Sequence, residues 1–140
     1  MKNNPKPFNQ TTHNKYDRPA REATKKYIKR HGYTAEDNPD IYGADLIVKD
    51  LCYVECEVKK YWSQSTYPYP HVRLPYRKKK FSLLDMPTVF YIWNNKYSHA
   101  VRIPGSSLGT AEVKEYKNSQ VSKGELFYWF SPKTLEIIKA

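Results

Sequence analysis

Little in this chain could staple a fold covalently or through a metal. Of its 140 residues only two are cysteines, Cys52 and Cys56. Four positions apart on an extended segment, their α-carbons would lie roughly 13 Å apart, whereas a disulfide spans roughly 4.4 to 6.8 Å. They are expected to be small buried thiols of a reducing compartment. The four histidines, His13, His31, His71 and His99, show no zinc-type spacing to these cysteines, so a structural zinc is not expected. No apolar run approaches the roughly 20 residues of a membrane span, and neither end carries a signal peptide or a lipidation motif. The expectation is a soluble, cytoplasmic protein that does not enter a membrane. Acidic residues are also scarce, 14 against 24 lysines and arginines, for a net charge of +10. Such a surplus draws polyanions, and nucleic acid is the first partner to consider, ahead of a membrane surface.

What the chain does have is aromatic surface. Aromatics make up 15% of it, thirteen of them tyrosine, which argues for a packed core. Its length suits one domain, read here as residues 17–140 preceded by a flexible basic arm at 1–16. That arm is rich in Asn, Lys, Thr and Pro and short of apolar residues.

The segment Tyr53 to Lys60 organises the remainder. Strand alternation sends Val54, Cys56 and Val58 to a core and lines Glu55, Glu57 and Lys59 on the opposite face. Adjacent carboxylates with an ammonium are costly to hold together unless something uses them, and a divalent cation with a phosphate substrate is the commonest user. Just upstream lie Gly43-Ala44-Asp45 and the apolar run Leu46-Ile47-Val48, joined to the charged strand by a turn at Lys49-Asp50. Asp40 and Asp45 are both candidate ligands. Asp45 is the stronger, because it sits in an apolar β-type run, whereas Asp40 sits where turns favour aspartate.

Around this hairpin the pattern predicts a helix from Asp17 to Gly32, with Pro19 in its first turn and Ala20, Ala23, Thr24, Tyr27, Ile28 and His31 on one face. Tyr33 to Glu36 reads as a short strand. Ser63 to His71 is a proline-broken loop whose tyrosines pack more than they stack on bases. A second helix is predicted over Leu74 to Leu84, bearing Arg77, Lys78, Lys79 and Lys80. Strands follow at Thr88–Trp93, Ser98–Ile103, Val113–Tyr116 and Glu125–Phe130, with short helices at 106–111 and after Ser131-Pro132.

The order helix, strand, acidic hairpin, basic helix, strand, with Gly43-x-Asp45 and Glu57-x-Lys59 on the two hairpin arms, resembles the PD-(D/E)XK nuclease superfamily. The likeness is greatest to archaeal Holliday-junction resolvases and phage-type relatives. It runs from about Arg18 to Ile103 and includes Arg30-His31-Gly32-Tyr33. It implies an α/β fold with a restriction-endonuclease-like core, a mixed β-sheet flanked by helices in αβββαβ order, carrying here a C-terminal β-rich extension. It further implies a Mg²⁺-dependent endonuclease acting on branched or duplex DNA. Asp45, Glu57 and the Val58 carbonyl would hold Mg²⁺, for which Mn²⁺ can substitute, and Lys59 would position the attacking water. Arg73, Arg77, Lys78 and Lys79 are expected to hold phosphates. RNA stays open as the polymer, and a homodimer is compatible with the likeness. Two departures stand out: Ala44 replaces the proline of the family's name, and no acidic ligand is expected on the first helix, where Glu22 falls opposite the apolar stripe. The alternative is a catalytically silent nucleic-acid-binding module on the same fold.

Overall fold

A computed structural model of the protein describes residues 10–118 and 121–140; side chains at 10–17, 116–118 and 121–123 are outside what is described. The first element is helix α1, Gln10–Arg30. It begins well before Asp17, so residues 10–16 of the expected arm are helical and Pro19 lies inside the helix. Proline lacks an N–H, so the helix forgoes one backbone hydrogen bond there. Residues 1–9 of the arm lie outside the described residues.

The buried face of α1 is the expected one. Ala20, Thr24 and Ile28 are buried, with Ala23 and Tyr27 packed beside them. His31 closes the helix, its Nδ1 2.9 Å from the Tyr27 carbonyl and its ring tilted against that of Tyr27.

Strands β1 (Glu36–Asp37), β2 (Leu46–Val48) and β3 (Cys52–Val58) form an antiparallel meander. Asp50 makes the β2–β3 turn at φ 61°, a left-handed conformation that aspartate tolerates. After β3 the chain crosses over and returns as β5 (Thr88–Trp93), parallel to β3. Strand β6 (His99–Pro104) pairs antiparallel with β5, and β9 (Glu136–Lys139) adds to β6. The result is a mixed six-stranded sheet in the order β1-β2-β3-β5-β6-β9.

The crossover departs from the prediction. In place of one helix over Leu74–Leu84 it contains β4 (Val72–Pro75) followed by a 3-10 helix, Tyr76–Leu83. Strand β4 is not an isolated extension. It joins β7 (Glu112–Asn118) and β8 (Val121–Phe130) in a second sheet of order β4-β8-β7. The C-terminal β-rich part is therefore divided, with β7 and β8 in the second sheet and β9 in the main one. The segment after Ser131-Pro132 makes only a short 3-10 turn before β9.

Alternation along the central strands feeds two cores. On one face Leu46, Val48, Val54, Cys56, Tyr91 and Trp93 meet α1. On the other, Phe90, Ile92, Val101 and Ile103 meet Leu74, Phe81, Tyr128 and Phe130 from the second sheet and the 3-10 helix. The protein is thus mixed α/β with few helices. Among the described residues one α-helix packs on the sheet, where more than one flanking helix was expected. Among the same residues no helix is long and apolar enough to cross a membrane.

Candidate active site

Asp45 and Glu55 face each other across the start of the β2–β3 pair, one step beyond the partners Leu46 and Val54. They latch the strands reciprocally. The Asp45 N–H donates to Glu55 Oε2 at 3.1 Å, and the Cys56 N–H donates to Asp45 Oδ2 at 2.8 Å. The Asp45 carboxylate is therefore held at the peptide between Glu55 and Cys56, on the edge of the strand that also bears Glu57. Asp40, the weaker candidate, is occupied in its turn: its Oδ1 accepts the Tyr42 N–H at 3.0 Å.

The charged face of β3 is not a solvent face. Glu55 is only 5% exposed, and Lys78 of the 3-10 helix lies against it. Lys78 provides its counter-charge, with Nζ 2.7 Å from Glu55 Oε1 and 3.6 Å from Glu57 Oε1. Burial alone would lower the Lys78 pKa, but attraction to Glu55 and Glu57 and the hydrogen bond to Glu55 outweigh it, so the pKa lies above the ordinary lysine value. Lys78 stays charged at neutral pH. Both Glu55 oxygens are thereby engaged, one by Lys78 and one by the Asp45 N–H.

Lys59 extends the strand by one residue, its N–H donating to the Trp93 carbonyl at 2.7 Å. The chain then turns through Lys60 and Tyr61 to Trp62, which is fully buried and pins the turn to the core. Asn95 fastens it from the other side, donating its side-chain amide to the Lys60 carbonyl at 2.9 Å. Beyond this turn lies an open groove of about 760 Å³, lined by Glu57, Val58, Lys59 and Lys60 and by His71, Arg73 and Trp129. The β4–β8 register places Arg73 opposite Trp129, and the guanidinium lies 5.5 Å from the Trp129 ring.

The predicted site residues divide accordingly. Glu57, Val58, Lys59 and Arg73 meet at the groove, while Asp45 stands one strand behind it, beside Glu55. Lys78 turns inward onto the carboxylates. Arg77 instead pairs with Glu125 at 3.0 Å, and the Lys79 ammonium lies 3.3 Å from the Tyr76 hydroxyl, both on the exposed side of the 3-10 helix. Sequence reasoning misses Lys78 as a clasp and Trp129 as a groove wall. The i, i+3 spacing of Lys78 and Phe81 is an available clue to the first, since 3-10 geometry stacks such residues on one side. Nothing local signals the second, which depends on pairing between segments more than fifty positions apart.

Compared with known proteins, the chain matches no family model, no curated protein and no solved structure. The site must be read from its own geometry.

The donors suit a hard cation in kind. Among the described residues no three His, Cys, Asp or Glu side chains converge to hold a metal by themselves. Mg²⁺ does not require that, since it is usually bound through one or two carboxylates and completes its shell with water and phosphate. The carboxylates of Asp45, Glu55 and Glu57 gather on this face of the sheet, with Lys78 against Glu55 and Glu57, beside a groove lined by cations.

Proposed function

We propose that the chain is a metal-dependent endonuclease that hydrolyses DNA phosphodiester bonds on a restriction-endonuclease-like core. The observation that carries the reading is the placement of Glu57 and Lys59 together in the lining of a groove that also offers Arg73. A carboxylate, an ammonium and phosphate-binding cations are what such a hydrolysis requires in one place. The meander β1-β2-β3 followed by a crossover to a parallel β5 supports the core assignment.

Asp45 and Glu57, with the Val58 carbonyl, would hold the cation. When bound, it supplies Lewis-acid polarisation of the phosphate and a more acidic water. The chain's own groups do the remaining work. Lys59 orients the attacking water and offsets charge growing on the phosphate oxygens. Arg73 and Lys60 hold the flanking backbone. Glu55, gripped by Lys78, fixes the Asp45 backbone and so keeps the first carboxylate in register.

The test is incubation of the purified protein with Mg²⁺ and labelled linear, nicked and four-way DNA. Cleavage that stops in excess chelator is expected, and cleavage undiminished by chelator overturns the proposal. The second reading, a catalytically silent nucleic-acid-binding module, is favoured by the 3.6 Å approach of Lys78 to Glu57, which gives that carboxylate a structural partner. Binding in Ca²⁺ with no cleavage in Mg²⁺ or Mn²⁺ selects it.

A further inference from the structure

The groove beyond Lys59 contains more than phosphate-binding charge. Its rings and cations alternate: Lys59 Nζ lies 5.1 Å from the Tyr69 ring centroid, Lys60 Nζ 5.5 Å from Tyr61, and the Arg73 guanidinium 5.5 Å from Trp129. Tyr61 is 79% exposed, so hydrophobic burial within this chain does not account for it. The wall that carries Tyr69 is stiff. Trp62 Nε1 donates to the Thr66 carbonyl at 2.9 Å, the Tyr67 hydroxyl donates to the His71 carbonyl at 2.9 Å, and burial pushes the Tyr67 pKa up to about 12, so its donor proton is retained. A platform already ordered loses little entropy when a ligand docks.

We propose that this groove binds unpaired nucleotides, with bases stacking on Tyr61 and Tyr69 and phosphates held by Lys60 and Arg73. The identity of the polymer rests on the nuclease reading above. The argument for unpaired strands is steric and chemical. In a duplex the base faces are covered by their neighbours, so exposed rings gain nothing from it beyond what cations alone would give. In a single strand every base offers a face, and aromatic stacking interleaved with backbone charge is the general solution for binding it. The volume of about 760 Å³ also lies within the range of about 300–1,000 Å³ that takes ligands of drug size, room for about one or two nucleotides. The proposal makes the substrate one with an unpaired segment next to the bond that is cut, such as a flap, a gap or an open branch.

The test uses the full chain without Mg²⁺, so that binding is read apart from cleavage. The ligands are a labelled oligothymidylate, an abasic oligomer of equal length and phosphate count, a blunt duplex and polyglutamate; the variants are Tyr61→Ala and Tyr61→Phe. Oligothymidylate should bind on the order of tenfold tighter than the abasic strand, and Tyr61→Ala should remove most of that advantage while Tyr61→Phe keeps it. The abasic affinity should not change in either variant, and melting temperatures should match wild type. Equal binding of the two strands, or an unaffected Tyr61→Ala, overturns the proposal in favour of a purely electrostatic surface. Polyglutamate binding tighter than oligothymidylate overturns it in favour of an acidic-peptide site. A protein that discriminates as expected but cuts nothing in Mg²⁺ sinks the nuclease reading and leaves the platform standing. One that cuts but does not discriminate does the reverse.

Discussion

Strands β2 and β3 present two different chemistries from alternate residues. Toward α1 they send Leu46, Val48, Val54 and Cys56, all buried among apolar neighbours. Toward the second sheet they send Asp45, Glu55 and Glu57, the middle one just as deeply buried but held by Lys78 and a backbone N–H. The first face gains stability from burial, at about 25 cal/mol per Å² of apolar surface. The second gains little from its ion pair, because desolvating two charges costs about what their attraction returns. A costly arrangement beside a groove is better understood as the support of a site than as a source of stability. Substitutions on the two faces should therefore fail in different ways.

The largest effect is expected at Glu57. Glu57→Gln keeps the volume and removes the charge, and should lower Mg²⁺-dependent cleavage on the order of a thousandfold with little change in melting temperature. A variant that melts much lower and cuts normally would make this face structural, like the other, and would erase the contrast.

Lys78 tests the boundary between the faces. Lys78→Met leaves Glu55 buried and unpaired, which should cost about 3–5 kcal/mol of stability, and pairing it with Glu55→Gln should restore most of that. The pH dependence has a definite sign. Because the folded pKa lies above the ordinary lysine value, the contribution of Lys78 is complete at pH values below that ordinary value and is lost as pH rises through the folded pKa. The Lys78 contribution to the stability gap between wild type and Lys78→Met should thus persist to about pH 9 and be lost only at strongly alkaline pH. A gap that closes as pH rises from about 7 to 9 would mean that the ammonium is not paired as the geometry indicates.

Lys59→Ala should reduce cleavage on the order of a hundredfold, equivalent to about 2.7 kcal/mol, and leave folding intact, because its backbone bond to Trp93 survives the truncation. DNA affinity in Ca²⁺ should fall only modestly, since one cation among 24 is removed. On the opposite face, Thr24→Val should do the converse. The Thr24 hydroxyl accepts the Trp93 indole N–H at 2.8 Å inside the helix-side core, so the substitution leaves a buried donor unsatisfied at about 1–3 kcal/mol. Cleavage by the folded fraction should be unchanged. Calorimetry and cleavage assays on these two variants separate the faces most directly.

What could be foreseen follows the range of the interactions. The apolar stripe of α1, the hairpin from β5 to β6 and the turn at Asp50 are written in local periodicity and turn chemistry, and each is found near its expected place. Strands β4 and β9 were not foreseen. Each is only four residues long, and β4 ends in a proline that reads more naturally as the start of a helix. The buried state of Glu55 was not legible for the same reason, since the surface that covers it comes from segments remote in sequence. Alternation told which residues share a face with Glu57; it could not tell that the face is roofed.

The smallest effect concerns the remaining cations of the basic run, where one stretch of sequence divides between inside and outside. In a 3-10 helix residues three apart lie on the same side, so buried Phe81 draws Lys78 inward with it, 5.6 Å from its ring, while Arg77 and Lys79 face out. Arg77 spends its charge on an exposed pair with Glu125, which is worth at most about 1 kcal/mol. Phosphate can replace that partner at little cost. Arg77→Ala and Lys79→Ala should therefore barely move the melting temperature, and each phosphate that a variant no longer neutralises should reduce the slope of log K against log salt by about 0.9 for duplex DNA. Measured in Ca²⁺ across a salt series, two unchanged slopes would return both side chains to the status of solvated surface. The phosphate-binding role would then pass entirely to Arg73 and Lys60 in the groove.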